Sequence, residues 1–283
     1  MVSVMINGLP GKMATELLLA IIYSPPLEIY PFSLTAEETE QTIGADLGRT
    51  PLRLIKPSER SSYSLNPDIS VDFTHSTAVN CNSDFYCNHG LSFVMGTTGG
   101  NREALEQRVR DSDVCAVIAP NMAKQIVVFQ AMMKYAAENF PNVFKRHTLE
   151  IVESHQQEKA DISGTAKVIM GYFNQLGIPF TQDQIKMIRD PEEQKRIGVP
   201  KHYLMGHGWH TYTLKGEIEK TILGSSVISR NPNVLLSFTH NINGRNSYLE
   251  GTLDAIEFLY KKVQAGEKGK VYSMIDVLKE GTS

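Results

Sequence analysis

The first half of the chain alternates short β-like runs with helix-like ones, and this alternation limits the architectures open to it. "VSVMIN" (Val2 to Asn7) reads as a buried strand, and "GKMATELLLAII" as the helix that follows. "LEIYPF" (Leu27 to Phe32), "SVDFT" (Ser70 to Thr74), "LSFVMGTT" (Leu91 to Thr98) and "VCAVIAP" (Val114 to Pro120) read as later strands. "NREALEQRVRDS" is a helix between the last two. The pattern predicts an α/β, doubly wound (Rossmann-like) parallel sheet with helices on both faces.

The character then changes. Ala123 to Phe140 is a helix, with Ile126, Phe129, Met133 and Ala137 at helical spacing. "TLEIVESH" is a strand, and "GTAKVIMGYFNQLG" is a helix with Val168, Ile169, Tyr172, Phe173 and Leu176 on one face. "WHTYTLKG", "EIEKTILGSS" and "NVLLSFTHNI" are further strands, and Arg189 to Gly208 is a long loop or short-helix excursion. Strands with few helices predict a second α+β domain on a mixed sheet. The last helix, Ser247 to Gly266, and "VYSMIDVLKE" are expected to rejoin the first domain. The expected division is a dinucleotide-binding domain at 1–122 plus about 247–283, and a substrate-binding and oligomerisation domain at 123–246.

Composition excludes several classes. The chain has 283 residues, a formal net charge of -3, and no long run of Lys and Arg, so no nucleic-acid partner is expected. No apolar run is long enough to span a bilayer, so no membrane partner is expected either. The three cysteines Cys81, Cys87 and Cys115 suit buried or surface thiols in a reducing compartment better than a disulfide framework or a zinc site, so no metal is expected. With no transit-like leader, the chain reads as a cytoplasmic protein or as the mature form of an organellar one.

Two stretches carry candidate chemistry. In "NGLPGKM", Gly8 and Gly11 stand between strand and helix, where glycine lets the backbone approach a pyrophosphate and the helix start supplies free N–H groups. Lys12 adds a mobile cation. Alone, the pattern fits an ordinary turn as well as a dinucleotide site. The strand ends at Phe73 and Gly96-Thr97-Thr98 fit the same crevice. The second strand runs to Ser33, Leu34 and Thr35 without the carboxylate that NAD sites often place there, although Glu37 and Glu38 follow. Both NADPH and NADH stay open.

The second stretch is "ESHQQEKADISGTAK" (Glu153 to Lys167). Ser163 is placed to cap a helix that begins Gly164-Thr165, which makes an anion site. Lys159 is a cation beside it, and His155 titrates near neutrality. The stretch is either a solvated charged loop or an acid-base and carboxylate-binding site. Glu153 and Asp161 are expected to orient His155 or the loop, or to meet solvent, and not to act as catalysts.

These residues resemble the 4-hydroxy-tetrahydrodipicolinate reductase (dihydrodipicolinate reductase) family. "ESHQQEKADISGTA" is similar to its signature, and "NGLPGKM", "VDFT", "VMGTTG", "APNMAKQ" and "THNINGRNSYLEGTLDAIEFL" extend the resemblance over almost the whole chain, in order. Gln156 stands where many bacterial members have a second histidine, and the proline before Ser-Gly-Thr is missing. "MIRDPEEQKRIGVP" and "GHGWHTYTL" resemble the plant-type branch.

The resemblance implies reduction of a cyclic dicarboxylate by NADPH or NADH in the diaminopimelate route to lysine. It implies that Lys159 pairs with a substrate carboxylate and donates a proton, and that His155 acts as acid or base. Gln156, Ser163, Gly164 and Thr165 would bind substrate. Gly8, Gly11, Lys12 and Met13 would hold the pyrophosphate side of the cofactor. Phe73, Gly96, Thr97, Thr98, Pro120, Asn121 and Met122 would line the rest of its path, and Arg245 matches a family arginine. It implies a homodimer or homotetramer, with cytoplasmic or plastid-stromal placement. Domain closure is expected about hinges near Asn121 to Gln130 and Asn241 to Tyr248. The rivals are another dehydrogenase of the aspartate pathway, which could need a reactive cysteine, and a non-catalytic dinucleotide sensor.

Overall fold

Val4, Met5 and Ile6 are all buried in the first strand, so side chains on both of its faces are covered, as in the middle of a parallel sheet. The computed structural model describes residues 1–35, 42–43, 51–216, 219–223, 226–230 and 234–281. It divides into two compact units, Met1–Val127 with Arg245–Ser283, and Val128–Gly244.

The first unit begins β1 (Val2–Asn7), α1 (Lys12–Ile22), β2 (Leu27–Ile29), β3 (Phe32–Leu34), β4 (Thr42–Ile43) and β5 (Leu52–Ile55). It continues β6 (Ile69–Asp72), α2 (Val79–Asn88), β7 (Phe93–Met95), α3 (Arg102–Arg110) and β8 (Ala116–Ile118). Helix α4 (Lys124–Asn139) leads into the second unit: β9 (His147–His155), α5 (Gly164–Gln175), β10 (Lys186–Ile188), α6 (Pro191–Arg196), β11 (His207–Gly216), β12 (Glu219–Leu223), β13 (Ser226–Arg230) and β14 (Leu235–Asn243). The chain then returns to the first unit through α7 (Leu249–Gln264), β15 (Val271–Tyr272) and α8 (Met274–Glu280).

The main sheet has the order β15-β8-β7-β6-β1-β2, and every pairing is parallel. Helix α1 buries Ala14, Leu17, Leu18 and Ile21, the i, i+3, i+4, i+7 stripe of an amphipathic helix. Truncating a fully buried leucine such as Leu17 costs about 2–5 kcal/mol, which sets the scale of this packing.

The second strand differs from the sequence expectation. "LEIYPF" is split: β2 ends at Ile29, and β3 pairs in parallel with β5 in a separate three-stranded sheet ordered β3-β5-β4. Pro31 has no N–H for a ladder, and its carbonyl accepts from Arg53 instead. The Ser33–Thr35 segment therefore ends a strand of this smaller sheet. Glu37 and Glu38 lie outside the described residues.

In the second unit the sheet order is β10-β9-β11-β14, mixed because β10 runs parallel to β9 while β11 is antiparallel to both its neighbours. Strands β12 and β13 form a separate antiparallel pair. The segment after β10 holds the short helix α6, which Asp190 caps by accepting from the Glu193 N–H. Ile151, Ile169, Phe173, Tyr212 and Leu214 are fully buried at the centre of this unit.

Candidate active site

Register determines which side chains meet. His155 on β9 lies opposite Gly208 on β11, and Glu153 lies opposite His210. His210 in turn lies opposite His240 on β14. Side chains two residues apart share a face, so His155, Glu153, His210 and His240 project from the same side of the sheet. Gly208 contributes no side chain, which leaves space for the imidazole of His155.

Glu153 is fully buried and is the electrostatic centre of the cluster. Its Oε1 accepts from Arg189 Nη2, and its Oε2 accepts from the Ser163 backbone N–H at 3.0 Å. His210 Nε2 is 3.7 Å from Oε2. Burial alone would raise the pKa of Glu153. The His210 ring beside it and the hydrogen bonds from Arg189 and the Ser163 N–H outweigh it and hold the carboxyl at about 2.

Arg189 also ties down the loop. Its Nε donates to the Lys159 carbonyl at 2.7 Å. Lys159 in turn closes a turn by donating its own N–H to the Gln156 carbonyl at 3.0 Å. At the far end of the loop, Ser163 is buried and caps α5, its hydroxyl accepting from the Thr165 N–H at 3.2 Å. Gly164 is exposed, while Gln156, Lys159 and Thr165 are half-buried. The loop is thus clamped at both ends, with a cationic side chain and an uncrowded helix start between them. The solvated-loop reading does not account for a fully buried carboxylate at its root.

The His155 ring is fixed by what surrounds it. Its Nδ1 is 3.1 Å from the His207 carbonyl, which can only accept, so Nδ1 carries the proton of the neutral ring. Its Nε2 lies 3.4 Å from His210 Nε2. Burial first, then the neighbouring His210, with the cations Arg189 and Lys159 adding to it, pushes the pKa of His155 down to about 3 against the opposing pull of Glu153. The ring is therefore a neutral acceptor at physiological pH. Beneath it, Gln194 donates to the His155 carbonyl at 2.7 Å, and the His207 ring bridges Ser154 Oγ and the Tyr203 carbonyl. Glu153, His155 and His210 also form the compact potential ligand set among the described residues, their ligand atoms lying within 4.8 Å of one another. Within that set, Glu153 is ion-paired with Arg189.

Sequence reasoning placed His155 and Lys159 but missed Arg189, Gln194, His207, His210 and His240. Arg189 fell in a stretch read as a long loop or short-helix excursion. His210 was visible in "WHTYTLKG", but only the strand register brings it to Glu153.

In the first unit, Asn7, Asp72, Met95 and Ile118 align in register at the carboxyl ends of four adjacent strands. Every residue proposed from sequence for the cofactor follows one of these ends. Gly8 has φ +101°, and a Cβ there would lie 2.2 Å from the Phe73 carbonyl oxygen; a Cβ on Gly96 would lie 2.2 Å from the Phe73 ring. These glycines let the turns after β1 and β7 close on Phe73. Gly11 caps α1 with no side-chain hydrogen bond and no acid in the first turn, which leaves an anion-accepting helix start beside exposed Lys12 and half-buried Met13.

Asp72 organises the neighbouring turns. It is fully buried and accepts from Thr74 Oγ1 at 2.7 Å, Thr97 Oγ1 at 2.6 Å, Asn82 Nδ2 at 2.8 Å and Tyr86 Oη at 2.7 Å. Its backbone carbonyl accepts from the Gly96 and Thr97 N–H groups. Thr98 and Pro120 are exposed. The Asn121 side chain accepts from the Ala123 N–H at 3.0 Å. Met122 is buried, with its sulfur accepting from Thr252 Oγ1, so it meets any ligand through its backbone. Arg245 precedes the short helical turn Asn246–Tyr248 of this unit.

The comparisons with known proteins decide the family. Residues 2–122 match the model of the dihydrodipicolinate reductase N-terminus, and residues 125–278 match that of its C-terminus. The chain belongs to the dihydrodipicolinate reductase family. It is 42% identical to the probable 4-hydroxy-tetrahydrodipicolinate reductase 1, chloroplastic, of Oryza sativa subsp. japonica, over 98% of this chain and 79% of that protein. It is 40% identical to the 4-hydroxy-tetrahydrodipicolinate reductase 2, chloroplastic, of Arabidopsis thaliana, over 99% of this chain and 78% of that protein. A solved dihydrodipicolinate reductase from Paenisporosarcina sp. TG-14, bound to dipicolinate, shares the fold. Its TM-score is 0.59 at 19% identity, covering 96% of this chain and 97% of that one.

Cys87 and Cys115 are buried, and burial pushes both thiols up. Cys81 is exposed on α2. Among the described residues no helix is long and apolar enough to cross a membrane.

Proposed function

We propose that this member of the dihydrodipicolinate reductase family reduces 4-hydroxy-tetrahydrodipicolinate to tetrahydrodipicolinate, with NADPH or NADH, in the diaminopimelate route of lysine biosynthesis. The observation that carries the reading is the clamp on the loop. Buried Glu153, held by Arg189 and the Ser163 N–H, fixes His155, Lys159 and the start of α5 as one unit. A dicarboxylate needs at least one anion site and one cation. The Ser163-Gly164-Thr165 helix start and the Lys159 ammonium supply them, and Gln156 adds a neutral hydrogen bond.

The overall change consumes one hydride and one proton and releases one water. The dinucleotide, when bound, supplies the hydride from its nicotinamide C4. The chain's own groups bind and orient the ring and manage the proton. Lys159 is the proton donor in this reading, because a neutral His155 with its Nδ1–H committed to a carbonyl has no proton to give. His155 instead offers Nε2 as an acceptor beside the ring.

We assign the dinucleotide to the first unit: Gly8, Gly11, Lys12 and Met13 at the pyrophosphate, and Phe73, Gly96, Thr97, Thr98, Pro120, Asn121 and Met122 along the remaining strand ends. The exposed start of α1 and the Asp72-anchored turns support that assignment. Ser33 and Thr35, at the end of β3, are buried and uncharged, and the Gly8 N–H donates to the Leu34 carbonyl beside them. Among the described residues this edge favours neither a 2′-hydroxyl nor a 2′-phosphate, so both dinucleotides are assigned. The plant relatives named chloroplastic support a plastid stroma, with the cytoplasm as the alternative. A homodimer or homotetramer completes the reading, to be checked by light scattering on the eluted protein.

The deciding test is a coupled assay with the upstream synthase, following NADPH and NADH oxidation separately. Turnover with at least one dinucleotide is expected. Lys159→Ala should lower it roughly 10²–10⁴-fold while dinucleotide binding persists. Dinucleotide binding without turnover in the unaltered protein would leave a sensor as the better reading.

A further inference from the structure

We infer that His210 is a positioning residue for the proposed reaction: its Nε2–H occupies the gap between Glu153 and His155 and fixes His155 with Nδ1 protonated and Nε2 as a bare acceptor. This rests on the reading of His155 as part of the substrate site.

The gap has room for one proton and one owner for it. His155 Nδ1 is 3.1 Å from the His207 carbonyl, so the neutral ring cannot also protonate Nε2. Facing that lone pair are His210 Nε2 at 3.4 Å and, 3.7 Å beyond it, Glu153 Oε2. If His210 carried its proton on Nδ1 instead, two imidazole lone pairs and a carboxylate would face one another. That Nδ1–H would also be buried with no hydrogen-bond partner among the described residues, as His210 Nδ1 is here. The Nε2–H tautomer removes both conflicts, because an unprotonated Nδ1 has no proton to satisfy.

The rest of the cluster keeps the ring in place. Glu153 cannot turn away, since Arg189 and the Ser163 N–H hold both of its oxygens. The His240 ring lies 4.6 Å from that of His210, and Phe129 of α4 packs against His240 and Tyr212. Among the described residues, the titratable or charged groups facing the His155–His210 pair are Glu153 of β9, Lys159 of the loop, Arg189 after β10, His207 and Tyr212 of β11, and His240 of β14. Helix α5 brings the neutral ring of Phe173 against Tyr212.

The experiment is long-range ¹H–¹⁵N correlation of the histidine rings in the intact, uniformly labelled protein, with a pH titration. At pH 7 the unaltered protein should show His155 protonated on Nδ1 only and His210 on Nε2 only. His210 protonated on Nδ1 would overturn the proposal without any variant being made. In His210→Leu the donor facing His155 Nε2, which favours the neutral ring, is gone while Glu153 remains. The His155 titration midpoint should therefore rise by at least one pH unit, and its two neutral tautomers should mix. His210→Gln, whose amide N–H reaches the place of Nε2, should restore the single tautomer. A His155 midpoint unmoved in His210→Leu would overturn the assignment.

In the coupled assay, His210→Leu should lower kcat about 10–100-fold and move the acid limb to higher pH. His210→Gln should recover most of the rate, with KM for the dinucleotide unchanged in both. Inactivity of the unaltered protein would defeat the proposed function, whereas the ring spectra would still decide the role of His210.

Discussion

Gly208 sits directly across the ladder from His155, and a methyl group built on it would lie 3.0 Å from Cε1 of that imidazole. The glycine is required by a side chain on the neighbouring strand, because the ring lies over the position its own side chain would fill. Gly208→Ala should push the ring by a few tenths of an ångström and tilt Nε2 away from its place. Since small misplacements at a reacting centre are costly, kcat should fall about tenfold. Stability should change by less than about 1 kcal/mol, because alanine suits a strand better than glycine does. Matched kinetics and urea melts check this; a rate loss only in proportion to a loss of fold would contradict it.

Arg189 is the partner that makes a fully buried Glu153 tolerable. Arg189→Met leaves that carboxylate short of its charge-assisted donor, and removing one member of a buried pair costs about 3–5 kcal/mol. The second change, Glu153→Gln, takes away the stranded charge, so the double variant should be more stable than Arg189→Met alone. A double-mutant cycle in urea measures the coupling. Additive losses would mean the two side chains are energetically independent.

The first unit was largely legible in the sequence, because buried parallel strands and the turns at their ends are local signals. "VSVMIN" followed by Gly8 and Gly11 identifies a strand and its turn without reference to the rest of the chain. "LEIYPF" did not read correctly, since Pro31 ends one strand and the next joins another sheet. That choice depends on Arg53 and β5, more than twenty residues away in sequence. At the candidate site, His155 and Lys159 were legible because they share one loop with Ser163. Arg189 and His210 were not, because they reach Glu153 only through the pairing of β10 and β11 with β9. A burial pattern predicts that a strand exists, but register decides which polar groups meet.

Acid should unfold the second unit through its histidines before its carboxylates. Burial first, then the neighbouring His210, pushes His240 down to about 3; both its ring nitrogens are buried without partners among the described residues. His155 is likewise lowered to about 3. An unfolded chain protonates histidine near pH 6.5, as the folded one does not, so stability is full above about 6.5 and falls as pH drops towards 3. Each ring contributes up to about 1.4 kcal/mol per pH unit. Glu153, lowered to about 2, adds a further loss only below its ordinary value of 4.5. His240→Phe removes one of these protons and no hydrogen bond. It should gain about 1–2 kcal/mol over the unaltered protein at pH 5 relative to pH 7.5. Urea midpoints at the two pH values test it; an unchanged slope would show that His240 does not titrate on unfolding.

Tyr86 should link stability to dinucleotide binding in the first unit. Its hydroxyl donates to Asp72 at 2.7 Å, and burial together with that carboxylate pushes the phenol well above its ordinary pKa. The Asp72 carboxylate also holds the hydroxyls of Thr97 and Thr74, and its backbone carbonyl holds the Thr97 N–H, so the turns after β6 and β7 hang from one residue. Tyr86→Phe removes one donor to a charged acceptor and should cost about 1.5–3 kcal/mol. Asp72 would then turn towards its remaining donors and shift the Gly96-Thr97 turn. Dinucleotide affinity should weaken about three- to tenfold, which corresponds to roughly 0.7–1.4 kcal/mol of the lost interaction appearing in binding. Nicotinamide fluorescence titration and urea denaturation separate the two effects. A destabilised variant that binds the dinucleotide as tightly as before would place the Asp72 network in the scaffold alone and detach it from the site.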